Sequence, residues 1–101
     1  MAAFFTIRMT PDAATQLQEI FAFIEKQSVQ NASRMIARIV KAIDGLDQLP
    51  KRYKILEDVE TFGVEVRSMP VPPYLVRYHV DEKNCCVIVL SVRHGARRPG
   101  L

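Results

Sequence analysis

Tyr74-Leu75-Val76-Arg77-Tyr78-His79-Val80, followed by Asp81-Glu82-Lys83-Asn84 and then Cys85-Cys86-Val87-Ile88-Val89-Leu90-Ser91-Val92-Arg93-His94, decides how this chain folds. Two runs rich in Val, Ile, Leu and Tyr flank a polar tetrapeptide, the pattern of a β-hairpin with a short loop. In the first run Tyr74, Val76, Tyr78 and Val80 alternate with Leu75, Arg77 and His79, so one face is apolar and the other carries charge. The second run, Cys86 to Val92, is apolar on both faces, which suits a central strand. It ends in His94-Gly95-Ala96-Arg97-Arg98-Pro99, where glycine and proline stop the strand and leave a cationic tail.

Working outward, Phe4 to Met9 alternates as a short edge strand, with Phe5, Ile7 and Met9 set against Thr6 and Arg8. Thr10-Pro11-Asp12 is a helix start: a Thr N-cap, a Pro where its missing N–H costs nothing, and an acid at the positive end of the dipole. Ala14, Leu17, Ile20, Phe21 and Ile24 form the apolar stripe of a first helix, with Gln16, Gln18, Glu19 and Glu25 outside it and Phe23 off the stripe. Near Ser28 a second helix begins, capped by Ser28 or Asn31. Its stripe of Ala32, Met35, Ile36, Ile39, Ile43 and Leu46 closes at Leu49-Pro50, since proline disfavours the α conformation before it. Arg34, Arg38 and Lys41 line its other side, the usual pattern of a solvated face.

Lys51 to Phe62 is mixed in charge and aperiodic, which predicts a loop with basic Lys51, Arg52 and Lys54 ahead of acidic Glu57, Asp58 and Glu60. Gly63 to Met69 alternates again as a strand, and Pro70-Val71-Pro72-Pro73 predicts a connector outside any central ladder. The order is β-α-α-β-β-β. It predicts an α+β domain in which a helix hairpin covers one face of a mainly antiparallel four-stranded sheet and leaves the other face open. With matched registers that open face carries Glu65, Arg67, Arg77, His79 and Arg93 together. A bland alternative is that Glu65 pairs with an arginine across strands, worth a few tenths to about 1 kcal/mol.

The bulk properties are those of one folded domain. A chain of 101 residues of this kind buries about 65% of its unfolded surface, enough for a core without metals or disulfides. Hydrophobic residues at 49% and charged residues at 25% exclude disorder as the default. A net charge of +3 suits an acidic partner or a nucleic acid without choosing between them. Cys85 and Cys86 are adjacent and point to opposite faces of a strand, so they read as reduced residues in a reducing compartment. His79 and His94 are the only histidines, too few for a zinc site. The first residues show neither a signal peptide nor a membrane span, which predicts a cytoplasmic protein with no membrane partner.

The arrangement resembles the RelE/ParE superfamily of bacterial toxins from type II toxin–antitoxin modules, and looks more like its ParE branch. The resemblance runs through Thr10-Pro11-Asp12-Ala13, Ala32 and Ile36, Leu49-Pro50, Gly63 with Val66-Arg67, Tyr74 to Val80, and Val89-Leu90-Ser91-Val92-Arg93-His94-Gly95-Ala96-Arg97. It covers residues 1–101 as a single toxin domain and implies growth arrest and plasmid stabilisation. RelE-like members cut messenger RNA on the ribosome with lysines on the second strand and an arginine after the tyrosine of the third. Here Gly63, Glu65 and Leu75 stand in that pattern instead. ParE-like members are known as inhibitors of DNA gyrase.

The resemblance therefore implies a gyrase inhibitor without chemistry of its own and without cofactor or metal, nucleic acid being involved only indirectly. Arg67, Arg77, Arg93, His94, Arg97 and Arg98 are expected to bind the target. The alternative is a ribosome-dependent endoribonuclease. RNA cleavage needs a base, an acid and positive charge on the phosphate, and His94, ahead of His79, would then move the proton. Every toxin reading implies a cognate antitoxin, folding on contact over the helix hairpin and sheet in a hetero-oligomer. Phe21, Phe23, Ile24, Met69 and Val71 are its expected contacts.

Overall fold

In the computed structural model, which describes residues 4–56 and 63–95, Thr10 caps the first helix: its hydroxyl accepts from Ala13 N at 3.1 Å. The elements are β1 (Thr6–Met9), α1 (Pro11–Glu25), α2 (Val29–Asp44), single 3₁₀ turns at Gly45–Asp47 and Pro50–Arg52, β2 (Lys54–Ile55), β3 (Arg67–Val71), β4 (Tyr74–Asp81) and β5 (Cys86–His94). Ser28 caps α2 through Asn31 N at 3.1 Å. The sheet has five strands in the order β1-β5-β4-β3-β2. Its pairs are antiparallel except β1 with β5.

The hairpin that decides the fold forms as expected, with Asp81 opposite Cys86 and Tyr74 opposite His94. Cys85 closes its turn at φ 51°, while both Asp81 carboxylate oxygens bond Asn84. A bulge follows, because Arg77 faces Ser91 while Tyr78 faces Val89, leaving Leu90 extra. The inserted residue lets Val89 and Val92, three apart, both enter the core. Thr10 spans this irregularity: its N–H donates to Val89 O at 3.0 Å and its hydroxyl to Leu90 O at 3.1 Å. One residue thus starts α1 and fastens it to the central strand.

The helix hairpin covers one sheet face, where Ala13, Ile39, Ile43 and Leu46 meet Met69, Val71, Tyr74, Val76, Tyr78, Val87, Val89 and Val92. Each buried aliphatic side chain contributes about 1.5–3 kcal/mol of transfer free energy, so this face carries most of the stability. Tyr78 is wholly buried, and its hydroxyl donates to Pro50 O at 2.6 Å.

Several expectations are corrected. The sheet gains a fifth strand, since Lys54–Ile55 pairs with Ser68 and Arg67 in what reads as loop. β3 begins at Arg67, not Gly63, and contains Pro70, opposite Leu75. The proline fits because β2 reaches only Ser68, so beyond it the outer side of β3 has no ladder partner among the described residues. On α1 the buried position is Ala13, with Ala14 exposed. Gln16 is not simply outside: its Oε1 accepts from Val92 N at 2.7 Å. The acidic cluster Glu57, Asp58 and Glu60 lies outside the described residues. Among the described residues no helix is long and apolar enough to cross a membrane.

Candidate functional site

Residues directly opposite one another in a ladder project to the same side, so the registers define the uncovered face. Lys54, Ser68, Arg77 and Ser91 form one row across β2, β3, β4 and β5. Arg8, Ile88 and His79 form a second across β1, β5 and β4. Pro70, Leu75 and Arg93 form a third. This is the face opposite Val76 and Tyr78, away from the helices.

Arg77 and Arg93 therefore stand on one surface as expected, with His79 beside them. Arg67 does not. It lies opposite Tyr78, on the helix-covered side, and its Nη1 donates to Lys51 O at 2.9 Å and Tyr53 O at 2.8 Å. Glu65, expected across a strand from an arginine, pairs instead with Arg67 two residues away, at 3.3 Å. His94 lies opposite Tyr74, again on the covered side, with the two rings edge-to-face at 5.5 Å. Arg97 and Arg98 lie outside the described residues. The expected target-binding set is thus divided between two sides of the sheet.

Two cations on the open face escape a reading of local sequence. Arg8 arrives there because β1 pairs in parallel with β5, and Lys54 because β2 joins the edge. Among the described residues Arg8, Lys54, Arg77 and Arg93 have no ion pair or side-chain hydrogen bond. The Arg77 Nε is moreover buried without an acceptor. The described carboxylate on this side is Asp81, at the far end of β4, held below its ordinary range chiefly by the Asn84 side chain. A face so built is chemically suited to anions, since guanidinium and ammonium groups are donors only.

Proton transfer is poorly provided for on that surface. His79 has Nδ1 at 2.8 Å from Glu65 O, which occupies one ring nitrogen. His94 stands on the opposite side from Arg77 and Arg93. The Tyr78 phenol, pushed up to about 12 by burial, is fixed on Pro50 O inside the core. Among the described residues no group of three or more His, Cys, Asp or Glu could hold a metal ion.

A second surface lies on the helix hairpin. Phe23 is 63% exposed, with Phe21 and Ile24 half-buried beside it and Val29 exposed at the start of α2. Met69 and Val71, expected as contacts, face inward and are 1% and 6% exposed. A partner strand along β3 would reach only their backbone.

The chain matches the model of the family described as ParE toxin of type II toxin–antitoxin system, parDE, over residues 7–99. It is 32% identical over 89 residues to a protein of Sinorhizobium fredii named "Putative toxin Y4kP", covering 88% of this chain and 86% of that one. Among solved structures it is similar to the chromosomal ParDE system of P. aeruginosa, with TM-score 0.73 and 17% identity over 90% of this chain and 96% of that one. It is also similar to the RelBE2 toxin–antitoxin complex of Mycobacterium tuberculosis, with TM-score 0.70 and 26% identity over 94% of this chain and 95% of that one. The archaeal RelE–RelB complex of Pyrococcus horikoshii gives TM-score 0.66 and 16% identity over 94% of this chain and 99% of that one.

Proposed function

Because the chain belongs to the ParE toxin family of type II toxin–antitoxin systems, we propose that it arrests growth by inhibiting DNA gyrase and is silenced by a cognate antitoxin. The observation that carries this reading is the separation of His94 from the cations: Arg77 and Arg93 occupy the open face, while His94 lies opposite Tyr74 on the covered one. A cleaving enzyme needs acid, base and phosphate ligands around one bond. A binding inhibitor needs only a complementary surface, which the cations of the open face supply.

On this reading Arg77 and Arg93 contact the target, joined by Arg8 and Lys54, while Arg67 acts at a distance by holding residues 51–53 in place. The antitoxin lies over the helix hairpin at Phe21, Phe23 and Ile24, where exposed aromatic surface gives a folding segment an anchor. The RelE-like alternative now rests on His79, the histidine that shares a face with the cations.

The test is gyrase supercoiling of relaxed plasmid with purified toxin, run beside a ribosome-bound message. Lost supercoiling with an intact message supports the gyrase reading, and restoration by antitoxin supports neutralisation. Normal supercoiling with a cut message refutes the gyrase reading.

A further inference from the structure

We propose that the open face of the sheet docks on the phosphate backbone of duplex DNA, by charge and without reading base sequence. The inference deepens the gyrase reading, since gyrase is an enzyme whose substrate is duplex DNA.

Arg8, Lys54, Arg77 and Arg93 lie on four different strands, β1, β2, β4 and β5. From β2 to β1 the sheet crosses four strand spacings, about 19 Å. That is the rise of five or six phosphates, at about 3.4 Å per phosphate along one strand. The row Lys54, Ser68, Arg77 and Ser91 alternates cations with hydroxyls, all side chains that bond phosphate oxygens. The Arg77 side chain has neither an ion pair nor a hydrogen bond among the described residues, and Arg93 stands diagonally from it on the next strand. Such crowding of like charge is unfavourable in the free protein and is relieved by an anionic surface.

The other residues of the face decide for duplex over single strand. Single-strand binders stack bases on aromatic platforms. The described residues between the cations are Ser68, Pro70, Leu75, Ile88 and Ser91, with His79 the only ring other than proline. Cations and two serine hydroxyls set around Pro70, Leu75 and Ile88, with no aromatic platform between them, suit a backbone whose bases are already paired.

The test is fluorescence anisotropy of a labelled random-sequence duplex with the full chain as salt is varied. Four phosphate contacts give a slope of log K against log salt of about −3 to −4, or about a hundredfold loss between about 50 and 200 mM. Lys54→Gln and Arg8→Gln, both at exposed positions, should each reduce the slope by about one. Lys41→Gln makes the same charge change on the exposed side of α2 and should leave the slope alone. Equal losses for Lys41→Gln and Lys54→Gln overturn the proposal, as does a preference of about tenfold or more for single strands. No binding at low salt while supercoiling is still inhibited overturns it too, leaving the gyrase reading intact and pointing to an acidic protein surface. Binding with the expected slopes and unaffected supercoiling supports the docking surface and removes gyrase as the target.

Discussion

Arg67 and Tyr78 stand opposite each other in the β3–β4 ladder, and the Arg67 Nη1 and the Tyr78 hydroxyl both donate to one short segment of backbone. Tyr78 donates to Pro50 O at 2.6 Å, and Arg67 donates to Lys51 O at 2.9 Å and Tyr53 O at 2.8 Å. Arg52 closes the same segment from outside through Gln48 O at 2.7 Å. The turn that leads into β2, and so places Lys54 on the open face, is held by these donors. Arg67 is a structural residue by this geometry, although its charge suggests a ligand.

Replacing Arg67 with Gln should therefore destabilise the fold. Hydrogen bonds from charged groups contribute about 1.5–3 kcal/mol each at most sites, and two carbonyls lose their donor. Arg77→Gln removes no side-chain bond to the described residues and should stay within about 0.5 kcal/mol of the parent. Urea unfolding midpoints at unchanged slope distinguish them; equal destabilisation would show Arg77 to be structural as well.

Tyr78→Phe leaves Pro50 O without its donor, at a cost of about 1–3 kcal/mol. A loss of that size lowers the melting temperature by about 4–8 °C per kcal/mol in a domain of this length. The phenol also makes a pH prediction. Its folded pKa lies at about 12 against an ordinary 10.0, raised by burial. The folded state therefore keeps its proton where the unfolded state has lost it, so this group's contribution is constant below about pH 10 and declines as pH rises toward about 12. The stability difference between parent and Tyr78→Phe should shrink over that window. A constant difference would mean the hydroxyl is not shielded from water.

Thr10→Ala removes the cap bond to Ala13 N and the tie to Leu90 O together. Loss of an N-cap costs about 0.5–2 kcal/mol, and the second bond places this site at the upper end. Thr10→Ser keeps both bonds and should recover most of the loss in thermal unfolding. If Ser and Ala were equally destabilising, the threonine methyl and not its hydroxyl would matter.

Phe23→Glu tests the proposed antitoxin surface. At 63% exposed, Phe23 contributes little to the core, so stability should change by less than about 0.5 kcal/mol. As an interface anchor its loss should cost about 2 kcal/mol, roughly thirtyfold in affinity for the antitoxin by titration calorimetry. Unchanged affinity would move the antitoxin off this part of α1.

Much of this was legible in local sequence. Thr10-Pro11-Asp12 and Ser28 start helices because capping chemistry is local, and the alternation of Tyr74, Val76 and Tyr78 identifies the buried side of β4. What local sequence does not encode is register. The side on which Arg67 falls depends on its pairing with Tyr78, and Arg8 reaches the open face through a parallel pairing with a strand about 80 residues away, set by tertiary packing. A two-residue strand such as Lys54–Ile55 is too short to show a period. Met69 and Val71, expected as antitoxin contacts, instead complete the core with their side chains, because the pairing of β3 with β4 turns them to the covered side.

The most direct test of a gyrase-binding open face compares gyrase inhibition by Arg77→Gln, on the open face, with inhibition by His94→Asn, on the covered one, after both are shown to be folded. Arg77→Gln should need at least about tenfold more protein for half-inhibition of supercoiling, about 1.4 kcal/mol of lost target affinity, while His94→Asn should inhibit like the parent. Full inhibition by Arg77→Gln together with a loss in His94→Asn would contradict it and place the functional surface on the other side of the sheet.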